Sequence, residues 1–205
     1  MILADAARRA SASRITAVMP MAFYSRQDRK NKGREPISFK LMLDMLAAGG
    51  VHRIVTMDLH SPQTQGFTNL PFDHLAFEPV LINYIKSHYT DLRNVILMAP
   101  DVGAVKRVEK YAHTLKCDFG FISKQRLGDE QVECSSIVGN VSGKHVILID
   151  DMTESADTLV KSAILCKENK AVGVMAAVTH GCFTEVGMTK LSTNITAQHI
   201  GPKPI

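Results

Sequence analysis

Short apolar runs alternate along this chain with stretches in which apolar residues return every third or fourth position. The runs Ile15–Met19, Arg53–Met57, Val95–Ala99, Phe119–Ser123, Val146–Ile149, Val172–Val178 and Ile195–Ile200 read as strands. The segments Ile2–Ala12, Pro36–Ala48, Glu78–His88, Ala104–Lys116 and Thr158–Asn169 read as helices, with Leu41, Met45 and Leu46 illustrating the apolar spacing. Strands that alternate with helices in this way predict βαβ units and a mostly parallel sheet. A break near Phe77–Pro79 predicts two related α/β halves, residues 1–78 and 79–205.

Composition narrows the picture only a little. Hydrophobic residues make up 45% of 205 positions, enough for a core, and the longest apolar run is far too short to span a bilayer. No signal-peptide pattern opens the chain. Cys117, Cys134, Cys166 and Cys182 are widely spaced, which argues against a disulfide framework or a zinc site and fits a reducing cytoplasm. A net charge of +4 suits phosphorylated small molecules and requires neither nucleic acid nor a membrane surface.

The chemistry gathers where strands end. The stretch 146–158, VILIDDMTESADT, runs from four apolar residues into Asp150 and Asp151, then through a hydroxyl-rich loop into a helix. Ligands of open α/β sheets bind beyond the carboxyl ends of strands, and helix starts offer free N–H groups to anions. Two acids beside such a loop suit a phosphorylated sugar; the plainer alternative is an Asp-rich turn with an ordinary helix cap. Two further strands end in MDLH (Asp58, His60) and APDVG (Asp101), and all three endings are expected to converge on one edge of the sheets. His60 and Asp101 are candidate ligands for Mg²⁺ already bound to nucleotide phosphates, because magnesium keeps few protein ligands. The run Ser25–Glu35 (SRQDRKNKGRE) is either a solvated basic loop or a nucleotide contact through Arg26 and Gln27. Lys124 and Arg126, two apart at the end of FGFIS, point the same way on an extended segment. They either decorate an exposed mobile loop or close over a reacting phosphoryl centre.

These segments, in this order, resemble the ribose-phosphate pyrophosphokinases, the synthetases of phosphoribosyl pyrophosphate (PRPP). RQDRK matches that family's ATP-binding motif, and DLHSPQTQGF its D-L-H-x-x-Q-x-Q-G-F. PDVGAVKR resembles P-D-x-G-G-x-x-R, KQR the K-x-R of a flexible catalytic loop, and DDMTESADT the PRPP loop; THG at Thr179–Gly181 also has its counterpart. The resemblance implies an α/β fold of two type I phosphoribosyltransferase-like domains. It implies transfer of pyrophosphate from MgATP to the C1 hydroxyl of ribose 5-phosphate, giving PRPP and AMP. On the matching positions, Arg26 and Gln27 would hold ATP, and His60 and Asp101 the magnesium–ATP. Lys124 and Arg126 would stabilise the transition state, and Asp150 and Asp151 would bind the ribose hydroxyls and associated metal. Glu154, Ser155, Ala156, Asp157 and Thr158 would form the 5-phosphate loop, and Gln65 would lie at a regulatory phosphate site. The family works as oligomers of dimers.

The departures lead to further expectations. The family's N-terminal F-x-D-G-E segment has no counterpart here, and the chain ends in HIGPKPI soon after a weak strand, so both domains are expected to be incomplete. Ala104 stands where the pattern has a second glycine, and Asp157 where the PRPP loop has its glycine. Asp157 is expected to cap the following helix and to oppose a dianionic phosphate, with added strain if its position needs φ > 0. Two function classes follow: an enzyme that makes PRPP, or an impaired subunit that binds a full-length homologue and modulates it.

Overall fold

The structure, a computed structural model, describes residues 1–127 and 132–194, with side chains for all of these except 124–127, 132–134 and 194. Ile195–Ile200, expected to form a strand, lies outside the described residues. The chain divides into two compact units, Met1–Phe77 and Glu78–Ile205.

In the first unit, helices α1 (Ile2–Arg9) and α2 (Ser38–Ala48) accompany the strands β1 (Thr16–Met19), β2 (Arg53–Met57) and β3 (Phe72–Leu75). The strands form a parallel sheet in that order. Ala17, Met19, Ile54 and Phe72 contribute to a core with Phe39, Met42, Leu43 and Leu46 of α2. The apolar face of α2 is therefore turned from the one read in the sequence: Leu46 is buried, but Leu41 and Met45 are exposed. Strand β3 was not legible as a strand. Its Asp73 binds both Nε and Nη2 of Arg53 on β2, so a polar pair helps to hold the added strand in place.

The second unit follows with α3 (Glu78–His88), β4 (Val95–Ala99), α4 (Val105–Leu115), β5 (Asp118–Leu127), β6 (Val132–Val138), β7 (His145–Thr153), α5 (Asp157–Glu168), β8 (Gly173–Gly181) and α6 (Glu185–Asn194). The sheet order is β6-β5-β4-β7-β8, parallel except where β5 pairs with β6. All five residues of β4 are buried, as its uninterrupted apolar run requires. Gly120 permits the tight β5–β6 approach, since a Cβ there would meet the Val138 carbonyl at 2.3 Å. Chain order and sheet order together fix where a ligand can bind. From β4 the chain crosses through α4 to β5 on one side; from β7 it crosses through α5 to β8 on the other. Right-handed crossovers in opposite directions put α4 and α5 on opposite faces, and a crevice opens between the carboxyl ends of β4 and β7. Consistent with this, Leu159, Val160, Ala163 and Cys166 of α5 pack with Ile96, Met98, Val146 and Leu148 in one cluster that contains no residue of α4. No helix among the described residues is long and apolar enough to cross a membrane.

Candidate active site

Asp101 follows β4 and Asp150 and Asp151 lie on β7, so two of the three acidic strand endings meet at this crevice. The third, MDLH, ends β2 in the three-stranded sheet of the first unit. Strand β7 runs on through both acids to Thr153, four residues past the expected Ile149, because it keeps pairing with β8 as far as Gly181. Burial pushes the Asp150 carboxyl up to about 7, aided by its hydrogen bond with Asp151 and by the charges of Asp151 and Asp101. The Asp151 N–H, which donates to Asp150 Oδ1 at 2.9 Å, pulls the other way. Arg107 on α4 brings Nη1 to 3.7 Å from Asp151 Oδ1, with both side chains largely sheltered from solvent. Arg107 has no role in the sequence-based expectations, although it closes the PDVGAVKR motif six residues beyond Asp101.

Asp101 itself accepts from the N–H groups of Gly103 (2.8 Å) and Ala104 (3.3 Å) through Oδ1, capping the short turn that leads into α4. A cation would therefore be met by Oδ2. Ala104 has φ −85° and ψ −7°, a conformation open to any residue, so this departure from glycine costs the backbone nothing. Among the described residues no three His, Cys, Asp or Glu side chains form a ready-made metal cage. The paired acids fit a magnesium ion that arrives with its waters and phosphate oxygens, since a divalent cation would offset the burial and the neighbouring carboxylate charges that raise Asp150.

The loop after β7 turns sharply at Ala156, which has φ 59° and ψ 8° and is the N-cap of α5. The left-handed position is thus Ala156, not Asp157. Asp157 is the first residue of the helix and does not cap it, so the expected cap and the expected strain at this position are both corrected. Its carboxylate accepts from the Ser155 hydroxyl at 2.8 Å and pairs with Lys190 of α6 at 2.5 Å. The Lys190 and Ser155 hydrogen bonds hold the Asp157 carboxyl below the usual carboxylate range. Glu154 and Ser155 are exposed, Thr158 is half-buried and Ala156 is buried. The first N–H groups of α5 have no partner within the helix, which leaves them to an anion or to water.

Helix α6, absent from the sequence reading, buttresses this loop. Cys182 and Thr184 donate their N–H groups to the carbonyls of Thr153 and Glu154. Gly187 comes so close that a Cβ there would meet the Glu154 carbonyl at 2.3 Å. The glycine in TEVGMTK was the available signal.

The first unit holds the remaining candidates. Arg26 and Gln27 are exposed in the turns between β1 and α2, where the Gln27 carbonyl accepts the Phe39 N–H at 3.2 Å. Exposed Phe23 and Tyr24 precede them. His60 is exposed just past β2. Its neighbour Asp58 is buried, accepts the Phe77 N–H at 3.2 Å and has φ 40°, which makes it a structural residue of the turn. Gln65 is exposed on a 3₁₀ turn and donates to the Pro62 carbonyl at 3.0 Å. Lys124 and Arg126 lie on the extended backbone of β5, paired in register with Ser135 and Glu133 of β6. Their segment is therefore strand and not loop, and their side chains lie outside those described.

A chain with a phosphate-type loop at the switch point of a mostly parallel sheet belongs to a class that known proteins delimit further. Residues 72–189 match the phosphoribosyl transferase domain, and residues 1–50 match the N-terminal domain of ribose phosphate pyrophosphokinase. The chain belongs to the phosphoribosyltransferase family by the match over 72–189, and its first fifty residues are similar to the N-terminal domain of the ribose phosphate pyrophosphokinases. It is 42% identical over 194 residues to ribose-phosphate pyrophosphokinase of Clostridium acetobutylicum, covering 95% of this chain and 61% of that protein. It is 44% identical over 191 residues to ribose-phosphate pyrophosphokinase 2 of Saccharomyces cerevisiae, covering 93% and 60%. The crystal structure of phosphoribosylpyrophosphate synthetase from Mycobacterium smegmatis superposes with a TM-score of 0.88 at 40% identity, over 94% of this chain and 62% of that one. The chain thus spans about 60% of the length of the curated relatives it matches.

Proposed function

We propose that this chain transfers pyrophosphate from MgATP to the C1 hydroxyl of ribose 5-phosphate, forming PRPP and AMP. The observation that carries this reading is the meeting of Asp101, Asp150 and Asp151 beside the loop 154–158, at the one crevice the strand order opens. Asp150 and Asp151 accept hydrogen bonds from ribose hydroxyls, with the Arg107 guanidinium placed beside Asp151. The loop N–H groups and the hydroxyls of Ser155 and Thr158 hold the 5-phosphate. In the other unit, Arg26 and Gln27 bind ATP. His60 in that unit and Asp101 in the second are each candidate ligands for magnesium, which would neutralise charge on the ATP phosphates. The sugar oxygen forms a bond to the β-phosphorus as the bond to the α-phosphate oxygen breaks, AMP leaves, and Lys124 and Arg126 neutralise the charge that develops. The protein works in the cytoplasm as a homo-oligomer, or in a hetero-oligomer with a full-length homologue.

The test is AMP release from MgATP, with and without ribose 5-phosphate, by the purified chain alone and mixed with a full-length homologue. Sugar-dependent AMP release by the chain alone supports the enzyme. Release only in the mixture, above that of the homologue, supports a modulating subunit instead, and no effect in either overturns the proposal.

A further inference from the structure

Asp157 poses a problem for any anion-binding reading of its loop. Its carboxylate sits two residues from Ser155 and accepts a hydrogen bond from that residue's hydroxyl. Left alone, a fixed negative charge at this spot would repel a phosphate dianion a few ångströms away. It is not left alone. Lys190 reaches across from α6 to Asp157 Oδ1, while Lys161, one turn along α5, adds a weaker attraction. Helix α6 can make this contact because Gly187 lets it rest against the Glu154 carbonyl, and because Thr184 anchors its start on the same carbonyl. The ammonium is thereby carried on a helix packed against the loop, not on a free tail.

We propose that Lys190 is a positioning residue of the phosphate loop: by pairing with Asp157 it cancels and restrains the carboxylate at the start of α5 that would oppose a bound phosphate. The proposal rests on the reading of 154–158 as the 5-phosphate site. Asp157 and Lys190 act as a unit, so the acid that departs from the family's glycine is tolerated because a base on a distant helix answers it. The Ser155 hydroxyl remains able to turn from the carboxylate to an incoming phosphate oxygen, because Lys190 keeps Asp157 satisfied when that proton moves away.

Double-mutant calorimetry on the full chain tests this, with ribose 5-phosphate as titrant and the melting temperature recorded for each variant. Lys190→Ala is expected to weaken binding at least fivefold when Asp157 is present, and less than twofold in the Asp157→Gly background. Lys190→Arg is expected to keep the unmodified affinity. Equal losses in both backgrounds would show a merely structural helix contact and overturn the proposal, as would an unchanged affinity in Lys190→Ala. If the unmodified chain binds no ribose 5-phosphate, the loop assignment fails first and this proposal fails with it.

Discussion

Ala156 holds φ 59° at the turn into α5, where an L-residue is strained by about 1–2 kcal/mol. Replacement by glycine removes that strain, but loosens the unfolded chain by about 0.4–1 kcal/mol and exposes a buried methyl worth roughly 0.8 kcal/mol. The terms nearly cancel, so Ala156→Gly is expected to fall within about 1 kcal/mol of the parent in urea unfolding. Ala156→Val, which adds a β-branch to a left-handed and fully packed position, is expected to cost about 2–3 kcal/mol in the same experiment. Asp150 offers a second test. Its carboxyl is raised from 3.8 to about 7 by burial, so across that window the folded chain holds a proton that the unfolded chain has released. Folded-state proton binding exceeds unfolded, and stability must therefore fall as pH rises. The contribution is complete below about pH 4 and gone above about pH 7. The metal-free melting temperature should decline across this range, and Asp150→Asn should flatten the decline; a slope unchanged in that variant would assign it to other groups.

Helix α6 shows how one element can govern another. Gly187→Ala forces a Cβ against the backbone carbonyl of Glu154, a partner that cannot rotate away as a side chain would. The helix must move off the loop, so ribose 5-phosphate binding should weaken severalfold in calorimetry while ATP binding holds. Loss of both would indicate general unfolding. This element was also the least legible in the sequence. EVGMTKLSTN contains a glycine and three threonine or serine residues of modest helix propensity, and its existence depends on packing against α5 and the loop. Strands β3 and β6 escaped for related reasons: FDHL needs the Arg53 pairing, and VECSSIV is carried by its antiparallel partner, since its own apolar content is low. By contrast β2, β4 and α3 have the very limits that their apolar periodicity marked, because burial alone determines them. The site divides likewise. Asp101, Asp150 and the loop were visible as strand endings, whereas Lys190 and the Arg107–Asp151 contact join residues far apart in sequence.

Across the molecule, the proposed ligands fall to different units: Arg26, Gln27 and His60 to the first, the acids and the phosphate loop to the second. His60→Ala should therefore weaken MgATP binding and leave ribose 5-phosphate binding largely intact, as separate titrations would report. Equal loss for both ligands would make His60 a structural residue. The order of strands in the second sheet has a consequence of another kind, felt while the protein is being made. Strand β4 is apolar throughout, yet one of its edges waits for β7, which leaves the ribosome about fifty residues later. At roughly 5–20 residues per second, the wait lasts several seconds. For that interval the nascent chain presents an open, water-shy backbone ribbon, ready to zip onto a neighbouring polypeptide. Soluble yield in a cell should therefore depend on slow induction and on chaperones that shield nascent chains, more than the stability of the finished sheet would lead one to expect.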